Sequence, residues 1–248
     1  MKVFYLLAAL ILLSVAVCAQ RMTDSQLEGF NGKVKAATTW NETITPKPKV
    51  PGEREFETDY SFDENGRALT EVTYFAGDRT TYFILDGERV SKSEHFENDP
   101  RVKMHLLASI DGPKSKGDSR YDKKYLYHYD SIGRVVEAKE LSNEGKQTWL
   151  TEYGYGEGTV LAKETNYGEG GKKRWEYTFT NDANGLAIRE VDVDFDFDDK
   201  KTSVYSYSDY KLDSHGNWTQ RKRTSYKDKD AKKIDKIEIE HRQITYYP

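Results

Sequence analysis

From Val34 almost to the C-terminus, apolar and polar residues change places with a period of two. Tyr125, Tyr127 and Tyr129 share one phase, and so do Trp175, Tyr177 and Phe179. Val191, Val193, Phe195 and Phe197 alternate with Asp192, Asp194, Asp196 and Asp198. Period two sends successive side chains to opposite faces, so each run predicts a half-buried β-strand. Leu186 and Ile188 sit out of phase with the run that follows them. A one-residue shift turns every side chain over, so a bulge or a change of packing partner is expected near Arg189 and Glu190. Val34 to Trp40 predicts a first strand, and strands fill most of Gln147 to Tyr247. No amphipathic helix of ordinary length interrupts them.

One grammar joins the runs: aromatic, any residue, aromatic, a polar turn closing on glycine, then a second alternating stretch. Tyr60-Ser61-Phe62-Asp63-Glu64-Asn65-Gly66-Arg67 is the first clear copy, and Tyr127-His128-Tyr129-Asp130-Ser131-Ile132-Gly133-Arg134 follows it. Tyr177 to Leu186 carries a longer turn ending at Gly185, and Tyr210 to Trp218 carries Asp213 and Gly216. Tyr82 to Arg89 is a shortened copy around Asp86-Gly87, and Tyr153 to Gly158 has glycine in place of aspartate. In Asp-x-x-Gly the carboxylate accepts hydrogen bonds from backbone amides just ahead of it and closes the turn. The glycine supplies the positive φ that ends a type I turn with a bulge. Asp63, Gly66, Gly87, Asp130, Gly133, Gly185, Asp213 and Gly216 are the turn signature on this reading. The prediction is an all-β fold, an antiparallel meander of tandem β-hairpins in a single twisted or curled sheet.

These copies resemble the tyrosine-aspartate (YD) repeat of Rhs-type proteins, whose core pattern is Tyr-x-Tyr-Asp-x-x-Gly-Arg-Leu. Tyr127, Tyr129, Asp130, Gly133 and Arg134 match it position by position. Tyr60, Asp63, Gly66 and Arg67 match it with Phe62 as the second aromatic. The ending Asp213-x-x-Gly216-Asn217-Trp218-Thr219-x-Arg221 is similar to a form found in small secreted bacterial proteins of unassigned role. The resemblance spans most of Glu53 to Arg223 and implies a β-hairpin repeat fold. In large Rhs proteins such repeats wind into a shell around a toxin. Too few copies are present here for such a shell and no toxin domain follows, so that role is not implied.

The two ends and the longest interruption set the domain plan. Met1 and Lys2 precede an apolar run from Val3 to Val17, and Val17-Cys18-Ala19 offers a cleavage site, so residues 1–19 read as a signal peptide. The run is short for a bilayer span, which leaves no membrane span once the leader is removed. Residues 20–33 read as an extended N-terminal lead-in with at most one helical turn. Residues 34–248 form the YD-repeat-like sheet domain, with an insertion at about 98–120 whose apolar middle is a strand or a short helix and whose end is a surface loop. Pro46, Pro48 and Pro51 mark a further loop.

Composition narrows the chemistry. The chain holds 18 tyrosines and 10 phenylalanines, which suits pleated, half-buried surfaces. Its 38 basic and 42 acidic residues are interspersed, which excludes the concentrated basic surface that nucleic acid requires. The one cysteine, Cys18, falls in the leader, so disulfides, thiol nucleophiles and cysteine metal sites are all excluded. The five histidines have no metal-ligand spacing, and no nucleophile elbow, phosphate loop or zinc helix occurs.

Two constellations remain. Asp192, Asp194, Asp196 and Asp198 on one strand face are candidate calcium ligands. Calcium needs about six to eight converging oxygens, whereas strand carboxylates diverge. The stronger reading is a solvated face offset by basic residues between Arg221 and Lys227. Tyr125, Tyr127, Tyr129, Trp175 and Tyr177 are a core stripe or, if exposed, an aromatic platform for sugar rings or a protein. No catalytic residue and no cofactor is identified. The functional expectation is a non-enzymatic binding or structural module, secreted, periplasmic or on the cell surface, with a protein or glycan partner. A carbohydrate-binding or carbohydrate-active protein and an accessory part of a toxin or adhesion system are the alternatives.

Overall fold

The computed structural model describes residues 21–46, 52–85, 87–95, 123–158, 160–197 and 200–248. A short helix α1 (Asp24–Leu27) comes first, and β-strands follow. They are β1 (Val34–Thr45), β2 (Arg54–Phe62), β3 (Ala68–Thr73), β4 (Asp78–Leu85), β5 (Glu88–His95), β6 (Lys123–Tyr129) and β7 (Val135–Ser142). Then come β8 (Gln147–Tyr155), β9 (Leu161–Tyr167), β10 (Lys173–Asn181), β11 (Ala187–Asp194), β12 (Lys201–Leu212), β13 (Trp218–Tyr226) and β14 (Ile234–Tyr246). Each strand pairs antiparallel with its neighbour in sequence, which is the meander that the hairpin grammar predicts.

The sheet does not stay open. β1 pairs antiparallel with β14, from Val34 opposite Tyr246 to Thr45 opposite Ile237, and closes a barrel of fourteen strands among the described residues. Closure removes both free edges, which an open sheet would leave as templates for aggregation. The expected curled sheet is therefore corrected to a closed barrel. At about 4.8 Å per strand and a tilt near 40°, its backbone radius is on the order of 14 Å. Side chains fill a barrel of about eight strands but not one this wide.

Alternate turns of an up-and-down barrel lie at the same end, so the turns at Gly66, Gly87, Gly133, Gly158, Gly185 and Gly216 ring one mouth. In the Asp63 turn, the Asn65 and Arg67 amides each donate to Oδ1 at 2.9 Å, and Gly66 takes φ +75°. Asp130, Asp182 and Asp213 repeat the arrangement, accepting from the amides two and four residues on. Each turn is followed by a bulge. The register slips between Ser61 and Phe62, His128 and Tyr129, Thr180 and Asn181, and Lys211 and Leu212. The extra residues are Leu69, Val136, Ile188 and Thr219. The phase break expected near Arg189 and Glu190 thus lies at Ile188, tied to the turn and not to the strand. Beyond the bulge, residues three apart face the same way, as Trp218 and Arg221 do.

The N-terminal segment carries one helical turn, α1, and does more than lead into the first strand. It folds back across the repeat mouth. The Met22 amide donates to the Gly133 carbonyl at 2.7 Å, and the Ser25 amide to the Gly66 carbonyl at 3.0 Å. The Asn217 side chain accepts from the Asn31 amide at 2.7 Å and donates to the Asn31 carbonyl at 2.9 Å. A Thr23–Gln26 capping box starts α1. Phe30 then drops into a small apolar core with Val34, Ala37 and Phe62, flanked by Tyr60, Ala68, Ile244 and Tyr246. The insertion at about 98–120, Pro48, Pro51 and the leader lie outside the described residues.

Candidate functional site

The strand register decides which side chains share the interior. Tyr207 lies opposite Arg223, which lies opposite Glu238; Arg221 lies opposite Glu240. Tyr125 faces Arg89, Tyr153 faces Glu164, and Tyr177 faces Asp192. These residues point inward. Ion pairs of the opposite phase point outward: Glu137 with His128 and Lys139 (2.6 and 2.7 Å), and Glu176 with Lys163 (3.0 Å). Trp40 and His241 stack on the outer face, 4.9 Å apart. The lumen is therefore aromatic and ionisable.

The predicted platform residues line this lumen and do not form an outer surface. Tyr125, Tyr127 and Tyr82 surround the Arg89 guanidinium at 5.1, 5.5 and 4.4 Å. Arg89 also pairs with Asp24 of α1 and donates to the Tyr127 hydroxyl, which ties the N-terminal segment to the wall. Tyr129 lies under Arg21 at 4.9 Å. Trp175 packs against Trp149 at 5.4 Å. The Trp149 indole and the Thr151 hydroxyl both donate to Asn166, at 3.1 and 2.8 Å.

The aspartate run divides. Asp192 and Asp194 belong to β11 and point into the barrel, so the face expected to be solvated is the interior. Asp196 lies past the strand end and pairs with Arg174 at 2.5 Å. Asp198 lies outside the described residues. Burial pushes Asp192 up to about 8, with the Glu190 carboxylate beside it adding to the shift and Arg223 opposing it. Glu164 is raised by burial, against a hydrogen bond from Asn166. Among the described residues no cluster suited to a metal ion forms. The turn signature forms the rim of the mouth, with Gly87, Gly133, Gly185 and Gly216 at φ +80°, +86°, +81° and +79°.

Sequence reasoning gave no functional role to Glu28, Arg89, Tyr153 and Arg242, and it named the basic run from Arg221 to Lys227, of which Arg223 does oppose the shift of Asp192, only as an offset to the aspartates. Arg242 stacks between Trp218 at 3.9 Å and Phe30 at 4.6 Å, and donates to the Gly29 and Glu28 carbonyls at 3.3 and 3.5 Å. It thereby clamps the end of α1 from below. Glu28 hangs from that helix into the lumen, accessible to water but surrounded by protein. Burial, helped by Glu71 and Glu164 and opposed by Arg242 and Arg89, raises its carboxyl to about 7. The alternation of Arg221, Arg223, Glu238, Glu240 and Arg242 was readable, but only closure assigns it to the inside.

The N-terminal segment fills one side of the mouth. Between it and the turns at Gly133, Gly185 and Gly216 a cavity of about 540 Å³ remains. Tyr153, Tyr155, Phe179, Tyr210, Trp218, Arg221 and Arg242 line its walls, with Glu28 hanging into it.

No protein-family model matches the chain. No curated protein matches it either. Among solved structures, a porin-like protein from Bacteroides uniformis aligns with 12% identity over 87% of this chain and 98% of its own, at a TM-score of 0.46. The Photorhabdus luminescens Tc holotoxin pore aligns with 14% identity over 83% of this chain at 0.30. TcdB2-TccC3 without its hypervariable C-terminal region aligns with 13% identity over 82% at 0.29. The chain spans 11% of the length of each of these toxin chains.

Proposed function

We propose that this chain is an exported, non-catalytic binding barrel that takes a small polar ligand, of the glycan class, into its lumen through the repeat mouth. The cavity beside the N-terminal segment carries this reading. Its 540 Å³ falls in the size range of small-molecule sites. Its walls combine aromatic faces, which suit sugar rings, with guanidinium groups and a carboxyl that can bond hydroxyls. Tyr153 has no hydrogen-bond partner for its hydroxyl among the described residues, so that group is available to a ligand.

The outer face favours water over lipid. A lipid-facing barrel presents an apolar band about 25 Å tall. Here Lys139, Glu137, Lys163, Glu176 and Lys222 stand outward from the strands. Export rests on the leader-like residues 1–19, and the repeat resemblance adds a link to small secreted proteins.

A glycan array on the chain without residues 1–19 tests the reading, with Asn184→Trp as the control. Asn184 is an exposed turn residue on the cavity rim, so an indole there blocks the entrance without entering the core. Binding that is lost in the variant supports the lumen as the site. No glycan bound, or binding indifferent to Asn184→Trp, overturns it.

A further inference from the structure

Two cavities meet at one guanidinium. Arg242 lines the 540 Å³ cavity and a second of about 180 Å³. Glu28, Trp218 and Arg221 line both as well. The other arginines projecting into the lumen each meet a carboxylate. Arg89 pairs with Asp24, Arg221 with Glu240, and Arg223 approaches Glu238 and Glu240 at 3.7 Å each. Arg242 has aromatic rings on two sides and two backbone carbonyls at 3.3 and 3.5 Å. No carboxylate among the described residues forms an ion pair with it, and its Nε has no acceptor. Burial and the neighbouring Arg221 hold its pKa down to about 10, the mark of a cation with too little negative charge around it.

A buried cation of this kind is stabilised by an incoming anion, and a guanidinium matches a carboxylate in shape. The aromatic faces of Trp218, Phe179 and Tyr153 stand around the same space. We infer that the cavity is a carboxylate site, with Arg242 receiving the carboxylate of an acidic sugar of the uronic acid class. This inference rests on the lumen-binding reading above and names its ligand.

Glu28 makes the site pH-dependent. Its carboxyl shares both cavities with Arg242, and as an anion it competes with the ligand for the same charge. The groups around it are Glu71 on β3, Glu164 on β9, Arg89 on β5 and Arg242 on β14, with Tyr60 on β2 and Tyr153 on β8. The protein packed around it, with Glu71 and Glu164 adding, outweighs the two arginines and raises the Glu28 carboxyl toward about 7. The acidic ligand is accepted while Glu28 is neutral and is disfavoured once it ionises.

Calorimetric titration with digalacturonate and with its methyl ester, at about pH 5.5 and about pH 8, tests this directly. The acid should bind at the lower pH, and the ester at least about tenfold more weakly, because it cannot form the charged pair. Digalacturonate stays ionised throughout, so its affinity should fall about tenfold at the higher pH, following the proton on Glu28. Glu28 makes no side-chain hydrogen bond to a described residue, and Glu28→Gln should lose the pH dependence whatever it does to the affinity itself. Arg242→Gln should lose the preference, with near-ultraviolet circular dichroism checking that α1 is still docked. Equal binding of acid and ester overturns the carboxylate site and leaves the lumen-binding reading standing. Binding of neither, together with an empty glycan array, overturns both. Acid binding that is independent of pH in the unmodified protein removes Glu28 from the site.

Discussion

Gly66 offers a way to weigh the docking of the N-terminal segment apart from the turn that receives it. Its φ is +75°, and a Cβ there would meet Ser25 Oγ at 2.8 Å, Thr23 Oγ1 at 2.8 Å and Thr23 Cβ at 2.9 Å. Gly145 ends a turn of the same hydrogen-bond pattern at the opposite mouth, with φ +77° and nothing within 4 Å of its Cβ position. Gly145→Ala therefore bears backbone strain alone, about 1 kcal/mol. Gly66→Ala bears the same strain plus overpacking of about 1–3 kcal/mol against the segment, because Ser25 is fully buried and Thr23 Cβ belongs to the helix cap. Urea denaturation should give losses near 1 kcal/mol for Gly145→Ala and roughly 2–4 kcal/mol for Gly66→Ala. Limited proteolysis should cut within residues 21–33 faster in the second variant only. Equal losses, with no change in proteolysis, would show that the segment does not rest on the Gly66 turn.

Three further outcomes follow from the same geometry. Arg89→Met strands Asp24 in a half-dry site and should cost about 3 kcal/mol by chemical denaturation, with a smaller loss when Asp24→Asn is added. Asn217→Ala removes a buried side chain bonded to both backbone groups of Asn31 and to the Tyr246 hydroxyl, and should cost about 2 kcal/mol while releasing the segment to protease. Stability should peak near about pH 4, close to the ordinary carboxylate values, and fall on both sides. The turn aspartates Asp63, Asp130, Asp182 and Asp213 are held below their ordinary values by amide, arginine and tyrosine donors, so their contribution is lost as pH falls through those lowered values. Glu28 and Asp192 are raised to about 7 and about 8, so their contribution is complete below the unfolded value and is lost as pH rises through the folded one. Asp192→Asn should flatten the alkaline side of a melting-temperature profile, and an unchanged slope would refute the assignment.

The strands and turns were legible because both are local. Asp-x-x-Gly closes its own hydrogen bonds, and alternation marks a strand wherever one face is drier than the other. The closure was not legible. It depends on β1 meeting β14, and nothing near Val34 or Tyr246 announces a partner some two hundred residues away. Without closure the faces cannot be told apart. Val191 and Val193 look like core and Asp192 like surface, yet the valines lie on the outside and Asp192 in the lumen. The bulge was foreseen one residue late because it belongs to the turn. Leu69, Val136, Ile188 and Thr219 stand at the same place in four copies, a recurrence visible in the sequence once the copies are aligned. The Thr23–Gln26 capping box was also visible, and it marked the short helix that spans one side of the mouth.

The width of the barrel links its stability to its proposed use. A wall of fourteen strands encloses more space than its own side chains can occupy. Two solutions are combined here. Long side chains with a polar tip, the tyrosines and arginines, cross part of the gap and satisfy one another, as Arg221 does with Tyr207 and Glu240. The chain's own N-terminal segment fills one side of the mouth. Neither reaches the space between Phe179, Tyr153 and Trp218, and Arg242, which borders it, is already held by the segment above. Arg242 is held by Glu28 and Gly29 whether or not a ligand is present, so a bound carboxylate would find it already oriented. The contact that holds the segment across one side of the mouth is thus the same one that presents the binding group. A variant that loosens α1 should therefore weaken binding even when every residue lining the cavity is intact.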